Sequence, residues 1–105
     1  MDKIISIAKD FSKAPAGRYK DYGKFSGEAF RDDILLPSLL DSKITSITID
    51  LNGLEGVGSS FWDEVFGEII RRKKISKSEF FNKIHLLCND DKTLIPTIRK
   101  IIEEN

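Results

Sequence analysis

A chain of 105 residues that is 40% hydrophobic holds enough apolar side chain for one compact core, which predicts a single domain over residues 1–105. Its 17 Lys and Arg balance 17 Asp and Glu, so no global field draws it to nucleic acid or to an anionic membrane. One cysteine, Cys88, excludes an internal disulfide; one His with one Cys cannot supply a zinc site; and apolar runs of only a few residues fall far short of the roughly 20 that span a bilayer. MDKIISIAKD lacks a signal-peptide apolar region, and the expected compartment is the reducing cytoplasm.

Residues 3–8, KIISIA, are short and rich in β-branched side chains, and read as an opening strand. Pro15, Gly17 and Gly23 among Lys, Arg and Tyr then read as loop or irregular hairpin, ending at Ser26 as a helix N-cap. From there Ala29, Phe30, Ile34, Leu35, Leu39 and Leu40 recur with a helical period. Pro37 lies inside that pattern. Lacking an N–H and clashing with the carbonyl of Asp33, it predicts a kink or break.

Residues 44–51, ITSITIDL, alternate, with Ile47, Ile49 and Leu51 on one face and Ser46, Thr48 and Asp50 on the other, as in a strand with one buried face. The loop NGLEGVG leads into SSFWDEVFGEIIRRKK, where Trp62, Val65, Phe66, Ile69 and Ile70 share a helical face. Asp63 and Glu64 near its start and Arg71 to Lys74 at its end complement the helix dipole, so the basic run reads as a helix end and not as a nucleic-acid patch. Residues 80–88, FFNKIHLLC, read as a third strand with Ile84, Leu86 and Cys88 on one face. Leu94, Ile95, Ile98, Ile101 and Ile102 make a closing helix, capped by Thr93 with Pro96 in its first turn. Helices are thus expected near 27–40, 60–73 and 94–104. Strands alternating with helices predict an α/β domain, its sheet mainly parallel and its helices largely on one face.

The chemistry-bearing residues are few. His85 and Cys88, three apart on a strand, point to opposite faces and form no nucleophile–base pair; no other His completes a triad. Asp32 with Asp33, and Glu103 with Glu104, read as solvated helix faces. The glycine loop matches neither the phosphate-loop nor the dinucleotide spacing, since Ser59 follows Gly58 where a lysine would stand. No catalysis, metal or cofactor is therefore expected. Ser59 and Ser60 remain, a hydroxyl pair where the second helix begins, for which N-capping is the plain structural role.

The run IDLNGLEGVGSSFWDEVFGEII resembles the central segment of STAS domains, the fold of anti-sigma factor antagonists. Asp50 matches the aspartate at a strand end, Leu54 and Val57 the apolar loop positions, Ser59 the serine that a partner kinase phosphorylates in antagonists, and Ser60 the hydroxyl residue after it. Together with GRY at Gly17 to Tyr19, SGEAFR at Ser26 to Arg31 and SSFWDEVFG at Ser59 to Gly67, the chain is similar to the bacterial STAS-like family of unassigned function. Gly58 stands where antagonists carry an aspartate and Phe61 where they carry glycine; the first removes a carboxylate that a kinase reads, and the second narrows access to Ser59. The resemblance implies a regulatory module that docks a histidine-kinase-like ATPase with serine kinase activity. Asp50, Gly56, Gly58, Phe61 and Asp63 would form the docking surface, with Ser59, or Ser60 in reserve, as phosphorylation site. Two alternatives are a small-molecule or nucleotide binder using the glycine loop with Arg18 and Lys20, and a constitutive adaptor without phosphorylation.

Overall fold

The computed structural model describes residues 1–105. Strand β1 (Asp2–Ser6) is shorter at its end than the KIISIA run suggests, because Ser6 stops it. The Ser6 hydroxyl accepts the Lys9 N–H at 3.1 Å and its own N–H is donated to Asp10 at 2.8 Å, a reciprocal cap that turns Ile7–Asp10 into the single-turn helix α1. A loop with one 3₁₀ turn (Lys20–Tyr22) leads to α2 over residues 27–39, capped by the buried Ser26 hydroxyl, which accepts the Ala29 N–H at 3.1 Å. Pro37 does not break this helix. A π-type stretch, Arg31–Leu35, precedes it, and the Leu36 N–H reaches back five residues to the Arg31 carbonyl; the widened turn accommodates the ring and its missing donor.

Strand β2 (Ser46–Asp50) is followed by the glycine loop and by α3 over residues 59–71, which carries a second π-type stretch at Asp63–Gly67. The segment after it differs from the sequence expectation. Lys77–Lys83 form helix α4, and only Ile84–Leu87 form β3. Ser76 caps α4 by accepting the Glu79 N–H at 3.1 Å while bonding the Glu79 carboxylate at 2.9 Å, and Phe80 packs edge-on against Phe66 with ring centroids 5.8 Å apart. Helix α5 (Leu94–Glu103) closes the fold. Thr93 stands before it without capping: its hydroxyl is donated to Asp91 at 2.6 Å, and its N–H to the same carboxylate at 2.9 Å.

The three strands are all parallel in the order β1-β2-β3, with Ile5, Ile49 and Leu86 in one cross-strand row and Ile4, Thr48 and His85 in the next. Alternation makes the first row, with Ile47 and Ile84, the face that the helices cover. Ile5, Ile47, Ile49 and Ile84 are buried there with Phe30, Leu35, Trp62, Phe66, Ile98 and Ile102 in one core, whereas Ile4 on the opposite face is 71% exposed. Helices therefore lie on one side of the sheet, as expected. No helix is long and apolar enough to cross a membrane.

Candidate functional site

The glycine loop leaves the carboxyl end of β2, the edge at which open parallel sheets present their loops to ligands. Asp50 starts it with an Asx turn, its carboxylate accepting the Asn52 N–H at 2.9 Å and the Asn52 amide at 3.0 Å. Asn52 in turn accepts the N–H groups of Asn89 (2.7 Å) and Asp90 (3.2 Å), and Asp90 accepts the Gly53 N–H at 2.8 Å. From the other side, the Lys13 carbonyl accepts the Glu55 N–H at 2.8 Å. Gly53 and Gly56 take φ of +83° and +56°, the left-handed region that side chains disfavour, so the path of this loop favours glycine at both positions. Leu54 and Val57 tuck against the core, and between them and Asp90, Asp91 and Leu94 lies a cleft of about 140 Å³.

Gly58, not Ser59, occupies the N-cap position of α3. Its backbone is extended (φ −75°, ψ 159°) and its carbonyl accepts the Phe61 N–H at 3.2 Å, which moves Ser59 to the first helical residue. Ser59 is exposed and Ser60 half-buried, and neither hydroxyl makes a hydrogen bond within the chain. Phe61 departs from its expected place on the docking surface: it is fully buried, edge-on to Trp62 at 5.0 Å between centroids and beside Phe30, so its ring meets the core and leaves the approach to Ser59 clear. Gly56 and Gly58 remain exposed, and Asp50 is half-buried in its turn.

Asp63, one turn beyond Ser59, is held by two guanidinium groups. Arg71 grips it through both terminal nitrogens (2.9 and 3.0 Å), and Arg18 donates to it at 2.7 Å from the loop before α2. The Arg71 bonds, then those of Arg18, hold the Asp63 carboxyl below the usual range despite partial burial, and Asp63 raises Arg18 in return. Lys20 is likewise occupied, donating to Asp33 at 3.1 Å, so the two cations expected to serve a nucleotide are internal partners. Asp33 is exposed, as a solvated helix face requires, while Asp32 is half-buried and accepts from Arg31 Nε at 2.9 Å. Cys88 is half-buried, and burial pushes its thiol up, away from a reactive thiolate.

Beneath this surface lies a feature that the sequence reading passed over. Arg31, 1% exposed, donates from Nη1 to the Glu64 carboxylate at 2.6 Å and to the Glu64 carbonyl at 2.8 Å, joining α2 to α3 where both carry π-type turns. Burial alone would lower the Arg31 guanidinium; its bonds to Glu64 and Asp32 outweigh that, and the net direction is up. Gly27 makes the close crossing possible, since a Cβ there would stand 2.8 Å from the Glu64 Cβ and 2.9 Å from the Phe61 carbonyl. The segments GRY, SGEAFR and SSFWDEVFG thus converge: the Gly17 and Arg18 carbonyls accept the Gly27 and Glu28 N–H groups, and Arg18 and Arg31 meet Asp63 and Glu64. At helical spacing Arg31 falls between Ile34 and Leu35, but Glu64 falls opposite the Trp62 stripe, so nothing in the sequence marked the two as a pair.

These features define a small α/β domain with a parallel sheet covered on one face and a pinned loop delivering a serine to a helix start. The STAS-like domain of unknown function (DUF4325) matches residues 26–93, well over half of the chain, and the protein belongs to that family. Comparison with curated proteins and with solved structures gives no match.

Proposed function

We propose that this domain is a regulatory interaction module whose docking surface is the loop over residues 52–58 with the start of α3, and whose partner is a histidine-kinase-like ATPase with serine kinase activity. The observation that carries this reading is Ser59, an exposed serine with an unbonded hydroxyl at the first position of α3, beside a loop fixed by Asn52 and Asp90. A phosphoryl group there brings about −1.5 to −2 charges. The helix dipole tolerates that anion, and the carboxylate one turn on, Asp63, is already neutralised by Arg18 and Arg71, so the domain stays folded while a docked partner is repelled. Switching then acts on binding, in the cytoplasm, with no turnover by the domain itself.

Nucleotide binding is the weaker reading, because the cleft at the glycine loop is about 140 Å³ and carries Asp90 and Asp91, whereas small-molecule sites run to about 300–1,000 Å³. Hydrogen bonds from Thr93 hold Asp91 below the usual carboxylate range, so it is an anion at neutral pH.

The test is phosphosite mapping and binding with a candidate ATPase. Ser59→Ala keeps binding and loses the phosphate; Ser59→Asp weakens binding while the melting temperature holds. Unmodified Ser59 and Ser60, together with wild-type binding by the Asp variant, overturn the switch and leave a constitutive adaptor.

A further inference from the structure

Strand β3 is an edge of the sheet, and its outer side is unprotected. In the parallel ladder His85 and Leu87 face β2, as the bond from the Leu51 N–H to the Leu87 carbonyl (2.8 Å) shows, so Leu86 directs both its N–H and its carbonyl outward. The opposite edge, β1, opens with Asp2 and Lys3, and its terminal ammonium is bonded to Thr45; β3 has no Lys, no Pro and no bulge. Beside Leu86 runs a groove of about 410 Å³ lined by Phe81, Ile84, His85, Leu86, Arg99 and Glu103.

The charges in this groove identify its occupant. Arg99 and Glu103 lie one turn apart on α5, yet they form no ion pair with each other or with any other side chain, whereas Lys100 and Glu104 on the same helix approach to 3.9 Å. Two opposite, unpaired charges flanking an open strand edge make a surface complementary to itself, because a two-fold axis reverses their order and brings the arginine of one copy to the glutamate of the other. We propose that a second copy of this chain docks here, β3 against β3 in antiparallel register. Backbone bonds at Leu86 and reciprocal Arg99–Glu103 pairs would join the two sheets into one of six strands. This interface lies on the last strand and last helix, and it stands independently of the reading of Ser59.

Sedimentation equilibrium over a concentration series tests it, with circular dichroism as the check on folding. Wild type is expected to dimerise reversibly. Arg99→Glu and Glu103→Arg should each weaken association about tenfold or more, and the double exchange R99E/E103R should restore it, which no merely structural role predicts. Leu86→Pro removes an outward donor without touching the β2 ladder and should abolish the dimer. A monomer at all concentrations overturns the proposal, as does a dimer indifferent to both single charge reversals.

Discussion

Removing the carboxylate of Glu64 is expected to be the most damaging single change near the site. Arg31 is 1% exposed and its Nη1 is satisfied by the Glu64 side chain at 2.6 Å; in Glu64→Ala that nitrogen retains only the backbone carbonyl at 2.8 Å, and Nε retains Asp32. Breaking a buried pair by deleting one member costs about 3–5 kcal/mol, and the retained bonds place this case near 3. In a domain of this size such a loss lowers the melting temperature by roughly 12–24 °C. Urea denaturation of the wild type, Glu64→Ala and the double variant R31M/E64M measures it. Two unbranched apolar side chains of similar length remove both charges together, so the double variant should stand within about 1–2 kcal/mol of wild type, or above it. A loss below about 1 kcal/mol in the single variant, or a double variant less stable than the single, would refute the view that an orphaned guanidinium is the cause.

Gly27→Ala should cost about 1–3 kcal/mol, since its Cβ would collide with Glu64 and with the Phe61 carbonyl; thermal unfolding at or above the wild-type temperature would show that the helices can part freely. Lys73 holds φ of +55° where its N–H meets the Ile70 carbonyl and that of Lys74 the Ile69 carbonyl, so Lys73→Gly should stabilise by about 0.5–1 kcal/mol in chemical denaturation. Asp63 and Glu68 are held below their ordinary values, chiefly by Arg71, so the unfolded chain takes up their protons first as pH falls. Their contribution is complete above about pH 5 and drains away below about pH 4; an acid titration followed by fluorescence should show Asp63→Asn with a shallower loss than wild type. Ser59→Ala, at a first helical position and not at a cap, should change stability by no more than about 0.5 kcal/mol.

Periodicity made β2 and α3 legible, because Ile47, Ile49 and Leu51 alternate and Trp62, Val65, Phe66, Ile69 and Ile70 recur at helical spacing beneath a single covered face. It failed over residues 80–88, where α4 passes into β3 at Ile84 with no turn residue between them, so Phe80 and Phe81 ran on into the strand as one apolar stretch. The capping box at Ser76 and Glu79 marked the missed helix. Pro37 misled in the other direction, since a π-type turn adapts to a proline that an ideal helix excludes. The hydroxyl pair Ser59 and Ser60 marked the start of α3, but the residue that caps the helix is Gly58, which the preference for a hydroxyl cap disguised. Arg31 and Glu64 stand 33 positions apart, and only the crossing of two helices over Gly27 reveals them as partners.

The bonds that fix the glycine loop bear on how fast a partner can be captured. With Asn52 and Asp90 clamping the loop after β2 to the loop after β3, and Lys13 holding Glu55 from a third segment, its backbone is ordered before any encounter. On the proposed reading, a partner docking at Ser59 would incur little further loss of chain entropy in this loop. Collision geometry would then set the association rate, within the usual range of about 10⁵–10⁷ M⁻¹s⁻¹, and the lifetime of the proposed complex would be the quantity that a charge on Ser59 shortens.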